Sequence, residues 1–318
     1  MEIASDREQS SGVFGAARSA ASTTHAACPP IEDAEIVAAA QAMNLAGLGA
    51  GGGAPLLAAL LDDSADLGSL ARRINAQPGI AVRLLRVANS SYYGQSGRVA
   101  TIDHAARLLG LTSLRGIAAA ACFDRMTAAV ARGVAIDLPA LRRHSLATAC
   151  AAQALARHVA PSLSDLAFMA GLLHDLGVIV QWRLRPQWLV PVKALPLPGD
   201  APTALNSQHE VLRLGATHAH CGQVLLDTWH LPPSLGLAVA SHDAEVNARC
   251  SDGDIALPTG LLKLADRLAW DAGFGFANDN PPEDALEPAP FSLTLEQLES
   301  LRSTLVDTVK RLSGVFHD

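Results

Sequence analysis

Six residues in this chain have side chains suited to gripping a metal ion, and they lie far apart: His144, His174, Asp175, His218, His242 and Asp266. The densest information is in Ala170 to Val180, AGLLHDLGVIV, an apolar run broken by the adjacent pair His174 and Asp175. A histidine and a carboxylate are costly to bury inside such a run unless something pairs with them. A divalent metal satisfies both at once. Imidazole nitrogens together with carboxylate oxygens suit a transition ion with positions left for water or phosphate. Such an ion lowers the pKa of bound water and polarises a phosphorus–oxygen bond.

Each of the other four candidates falls on the apolar face of its own helical pattern, 24 to 43 residues from the next. The competing explanation is that a lone histidine on an apolar face is a core residue bonded to a backbone carbonyl. That explanation serves any one position well and serves two adjacent polar groups in AGLLHDLG poorly. His25, His104, His158, His209, His220, His230 and His317 lack this placement and read as surface or locally bonded residues.

The elements that must position these groups are helices. Hydrophobic residues are 49% of the 318, charged residues 17% and aromatics 4%. The apolar content is mostly Ala and Leu, which favour helix, and no strand-like alternation of any length occurs. The expected fold class is all-α. Residues 1–30 read as a disordered, Ser/Ala/Thr-rich tail, and 31–54 as a helix followed by a Gly-rich linker. GLGAGGGAP is a break rather than a phosphate loop, since no strand precedes it. Residues 55–130 read as an N-terminal helical layer and 139–270 as a larger helical core. A loop is expected at 271–291, then a C-terminal helix at 292–314 opened by a capping box from Thr294 to Gln297.

In the core, His144 falls on a helix started by Pro139, and His174 on one that runs on from Ser162 or Ser164 through Gly177. Leu205 to Trp229 reads as one long helix carrying His218. His242 lies in line with Leu235 and Val239, and Asp266 in line with Leu262 and Ala269.

The formal net charge is −7 and the cations are almost all Arg. With no basic stripe, nucleic acid is not the expected partner. Five cysteines without a CxxC pair suit small buried thiols in a reducing cytoplasm. The charged start MEIASDREQSSG is not expected to be a secretory signal. No uninterrupted apolar run reaches the roughly 18 to 20 residues that span a bilayer, so the expectation is a cytoplasmic protein without a membrane partner.

The order His144, His174-Asp175, His218, His242, Asp266 resembles the HD superfamily of metal-dependent phosphohydrolases. More closely, Leu56 to about Asp243 is similar to the HDOD family, the HD-related output domain of bacterial signalling proteins. The matching blocks are DDSADLGSLARRINAQPGIAVRLLRVANSSYYG, IDHAARLLGLTSLRGI, HSLATA, AGLLHDLG and THAHCGQVLLDTWHLP. The resemblance implies an HD-type helical bundle with a smaller N-terminal layer. It also implies a metal set of His144, His174, Asp175, His218, His242 and Asp266, with Fe, Mn, Mg, Zn or no ion at all as cofactor. The HD-GYP phosphodiesterases carry HDxGK and a GYP loop. Here Val178 stands at the Lys position, and SHDAEVNARC contains no GYP.

The function implied by the resemblance is that of a regulator acting on other signalling proteins, within cyclic-nucleotide signalling, with a metal-dependent phosphohydrolase as the alternative. Oligomeric state is left open. In NSSYYG, Asn89, Ser90 and Tyr93 either line a groove for a partner or shape a helix end. Arg83 and Arg86 read as surface ion pairs.

Overall fold

The computed structural model describes residues 29–43, 53–62, 64–90, 98–131, 133, 136–186, 210–211, 214–242, 260–275, 291 and 293–313. These are 81% helical, with no strand among them. The fold is all-α, as composition and pattern indicated.

The N-terminal layer is made of α2 (Gly53–Leu60), α3 (Leu67–Asn75), α4 (Pro78–Ala88) and α5 (Ile102–Val130), the first three packing on the fourth. Asp66 and Thr101 cap α3 and α5 by accepting from Ser69 N and His104 N, which satisfies donors that helix starts leave orphaned. α5 is bent at Gly110, whose φ of 74° lies outside the helical range and suits a residue without Cβ.

The larger layer contains α6 (Leu138–Val159), α7 (Ser164–Leu173), α8 (Leu176–Leu184), α9 (His218–Thr228), α10 (Pro233–Ala240) and α11 (Leu261–Ala269). α7 is its axle, apolar on every side and buried from Ala167 through Leu173, as a helix surrounded by others must be. It packs on α5, α6, α10 and α11. α1 (Asp33–Met43) lies against α8 and α9, and α12 (Leu295–Leu312) against α6. Thr294 and Gln297 form the expected capping box at the start of α12.

Two sequence expectations are corrected. The long helix from Leu205 to Trp229 is interrupted. Gly215 takes a φ of 88°, Thr217 caps a new start by accepting from His220 N, and His218 opens α9. A Cβ at Gly215 would meet Pro29 O at 2.4 Å, so the break seats the α1 leader. Secondly, Arg83 is not a surface cation. It and Arg142 both pair with Asp124, whose side chain is 3% exposed. Two segments, Ile102–Ala129 and Pro161–Leu184, have the length and composition to cross a membrane, but neither is an unbroken apolar run, and 67% and 72% of their apolar windows are buried in the protein.

Asp124 of α5 pairs with Arg83 of α4 inside the N-terminal layer and with Arg142 of α6 across to the larger layer. Replacing it with Ala leaves both arginines without their buried counter-charge, a loss of about 3 kcal/mol. The melting temperature of Asp124→Ala is expected to fall by roughly 6–12 °C in a thermal unfolding scan, and an unchanged melting temperature contradicts this tie.

A candidate metal centre of four histidines and two aspartates

The six residues singled out in the sequence converge. His144 comes from the second turn of α6, His174 and Asp175 from the junction of α7 and α8, His218 from the first residue of α9, and Asp266 from α11. His242 lies two residues beyond the end of α10 rather than within it. The chain does not run straight through the His-Asp pair either. His174 keeps helical angles, but Asp175 turns out at φ −95° and ψ 8°, which separates α7 from α8 at the pair.

The donor atoms form two groups sharing Asp175. In the inner group, His144 Nε2 stands 3.3 Å from His174 Nε2, 3.3 Å from Asp175 Oδ2 and 3.0 Å from Asp266 Oδ1. His174 Nε2 is 3.2 Å from Asp175 Oδ2. In the outer group, His218 Nε2 stands 3.0 Å from His242 Nε2 and 3.5 Å from Asp175 Oδ1. Three donor atoms in each group, from His144, His174 and Asp175 and from Asp175, His218 and His242, lie mutually within 4.8 Å. His144, His174, Asp175 and His242 are buried, whereas the side chains of His218 and Asp266 keep 12% and 13% exposure.

Each ring is held by its outward nitrogen. His144 Nδ1 faces Phe274 O at 3.1 Å, His174 Nδ1 faces Gly171 O at 2.8 Å, and His242 Nδ1 faces Val239 O at 2.6 Å. His218 Nδ1 faces the Glu210 carboxylate at 2.8 and 2.9 Å, and the same carboxylate accepts the His218 backbone N–H at 2.7 Å. An oxygen facing Nδ1 places the proton there and turns the Nε2 lone pair inward, the tautomer of a metal-ligating histidine with its supporting acceptor. Two such lone pairs 3 Å apart repel unless a cation or a proton lies between them. Asp175 Oδ2 and Asp266 Oδ1 are buried and accept no hydrogen bond. The residues therefore fit a divalent metal, and a four-donor inner group and a three-donor outer group could hold one ion each.

The electrostatics agree. Burial would push the His144 imidazole down, but Asp266 and Asp175 outweigh it and hold it well above the ordinary imidazole range. His174 is raised too, with Asp175 overcoming burial and the opposing charge of His144. Burial would push Asp175 up, and the neighbouring imidazoles hold it well below the usual carboxylate range.

Glycines bring these groups within reach. A Cβ at Gly177 would lie 1.8 Å from His218 O and 2.6 Å from Gly222 N, and one at Gly171 would lie 2.8 Å from Ala149 Cα and Thr148 O. α8 thus touches α9, and α7 touches α6, backbone to backbone on either side of the His-Asp pair.

Two contributors escaped the sequence reading: Glu210, and the carbonyl of Phe274 in the π-turn Trp270–Phe274. Glu210 has no helical spacing to His218, because the break at Gly215 separates them. Of the candidates for partner binding, Asn89 is committed to the backbone. Its side chain donates to Leu85 O and Val99 O and accepts from Val99 N. Ser90 is half-buried at the end of α4, and Tyr93 lies outside the described residues.

Fold and site together define a helical HD-type domain built round a buried His/Asp cluster. The sequence profile of the HDOD domain matches residues 54–245, more than half of the chain, and the chain belongs to the HDOD family. The match ends before α11, which supplies Asp266. No curated protein sequence matches. Among solved structures, the fold is similar to that of a Marinobacter aquaeolei VT8 protein named for signal transduction, at 21% identity and a TM-score of 0.66 over 89% of this chain and 65% of that one. It is similar to an HDOD domain protein of unknown function from Geobacter sulfurreducens, at 19% identity and a TM-score of 0.64 over 90% and 99%. It is also similar to a Shewanella amazonensis SB2B protein named as a phosphohydrolase, at 21% identity and a TM-score of 0.60 over 89% and 96%. The chain spans 65% of the length of the Marinobacter protein.

Gly177→Ala is expected to push α8 from α9, costing about 3 kcal/mol or more. Gly116→Ala, whose Cβ meets only the Phe168 ring at 3.5 Å, is the matched control and is expected to be neutral or stabilising. Equal melting temperatures for the two variants would contradict the close backbone approach.

Proposed function

We propose that this chain is a signal-transduction regulator whose HDOD domain works by engaging other signalling proteins, within cyclic-nucleotide signalling. On this reading His144, His174, Asp175, His218, His242 and Asp266 hold divalent metal that fastens the helices together rather than turning over a substrate. The observation that carries it is the burial of His144, His174 and Asp175 in the inner group. Four protein donors suffice for a closed structural site, and His144 and His174 are 0% and 1% exposed. Val178, where the phosphodiesterase pattern has Lys, packs its apolar side chain against the core, so a phosphate-binding cation is missing from that position. The name of the Marinobacter protein points the same way.

When bound, the metal supplies charge neutralisation in the inner group and Lewis acidity in the outer group. The chain's own residues orient the donors. Glu210 fixes the ring of His218, and the carbonyls of Phe274, Gly171 and Val239 fix the other three. Because proton and metal compete for the same nitrogens, uptake of metal releases protons. Purified protein is expected to carry close to stoichiometric Fe, Mn or Zn by elemental analysis. Saturating Mn²⁺, at about 100 times its dissociation constant, is expected to add about 2.7 kcal/mol of stability to the metal-free protein. That gain corresponds to a rise in melting temperature of roughly 5–10 °C. His144→Ala is expected to lose both the metal and the rise. Absence of both in the wild type contradicts the metal assignment.

A second reading, metal-dependent phosphohydrolase, is favoured by the outer group. With three protein donors it leaves a position open, as catalytic sites do, and its His218 side chain keeps 12% exposure. Mn²⁺-loaded protein is expected to leave bis(p-nitrophenyl) phosphate and cyclic di-GMP unhydrolysed beyond the rate of His174→Ala. Robust cleavage abolished by His174→Ala would overturn the regulatory reading in favour of the enzyme.

A further inference from the structure

Away from the His/Asp centre, a cavity of about 310 Å³ opens between α5, α6 and α12. Ligand pockets start at about this size, and it is about twice the volume of an engineered core cavity that binds benzene. Its walls are chiefly apolar, with Ile117, Cys150, Ala154, Phe168, Leu268 and Leu305 among them. Two guanidinium groups complete the lining, those of Arg157 and Arg311. Both come from the last turns of their helices, α6 and α12. Arg157 Nη2 donates to Gln153 Oε1 at 3.1 Å, and Arg311 donates to Asp307 O at 3.0 Å and to Thr308 Oγ1 at 2.7 Å. These bonds help to hold the two guanidinium groups beside the cavity. α12 lies outside residues 54–245, so the cavity is made where the C-terminal helix of this chain meets the family domain.

An apolar chamber with two cations on its lining matches one kind of small molecule. We propose that this cavity binds an amphipathic organic anion, an alkyl carboxylate, with its chain among Ile117, Phe168 and Leu305 and its carboxylate on Arg157 and Arg311. The apolar walls reward the alkyl chain for leaving water. Two guanidinium groups offer a carboxylate charge-assisted, fork-shaped hydrogen bonding that an alcohol cannot match. The cavity also borders the elements that carry the centre. α6 bears His144 as well as Cys150 and Arg157, and Leu268 is two residues beyond Asp266 on α11.

The test uses the full chain and the fluorescent anion 8-anilinonaphthalene-1-sulfonate as reporter, with decanoate, decan-1-ol and decyltrimethylammonium as competitors. Decanoate is expected to displace the reporter at least roughly tenfold better than either of the other two, the scale of a charge-assisted bond. The double variant Arg157→Ala/Arg311→Ala is expected to erase that preference while leaving decan-1-ol unchanged. Ala154→Phe is expected to fill the chamber and abolish displacement, and Thr304→Trp fills it from the α12 side should the first fail to fold. Equal competition by all three ligands, or decanoate binding that survives both filling variants, overturns the proposal. Decanoate binding that persists in metal-free His144→Ala protein supports the site independently of how the His/Asp centre is read.

Discussion

Imidazole lone pairs that face one another across 3 Å of protein interior need a positive charge between them, and the rest of the structure is arranged around that need. Four rings have their inner nitrogens turned towards two carboxylates, and each outer nitrogen is occupied by an oxygen the ring cannot leave without losing a buried hydrogen bond. Asp175 and Asp266 meet part of that need by holding the His144 and His174 imidazoles above their ordinary range. Six donors from five places along the chain would not meet in this way to make an ordinary core, where hydrophobic residues of the same volume pack with less penalty.

Bringing the donors together requires helices to approach more closely than side chains normally permit. The glycines on either side of the His-Asp pair do this, since Gly171 lets α7 touch α6 and Gly177 lets α8 touch α9. The turn at Asp175 then divides its two oxygens between the inner and outer groups. Core packing and site geometry are thus the same contacts seen from two sides, and the layers are held in place by the polar pairing at Asp124 as well as by apolar burial.

Much of this was legible in the sequence. Ala- and Leu-rich periodicity indicated the helices, and the isolated polar pair in AGLLHDLG marked the centre. The order of histidines and aspartates supplied the remaining donors. What escaped depends on breaks in periodicity. Gly215 interrupts a pattern that reads as continuous from Leu205 to Trp229, and Glu210 consequently reaches His218 from outside any helical register. The π-turn that offers Phe274 O to His144 uses a backbone atom, which no side-chain pattern can reveal. Arg83 reads as a surface cation because its partner Asp124 is 41 residues away. Spacing along one helix carries no information about such pairs.

The π-turn has a consequence for the C-terminal helix. Arg302 of α12 donates to Asp271 O within that turn, and the turn's last residue accepts from His144. α12 therefore acts as a remote buttress for an imidazole it never touches. Loss of this helix would remove the Arg302 bond to the turn and, with it, one support of the carbonyl that faces His144.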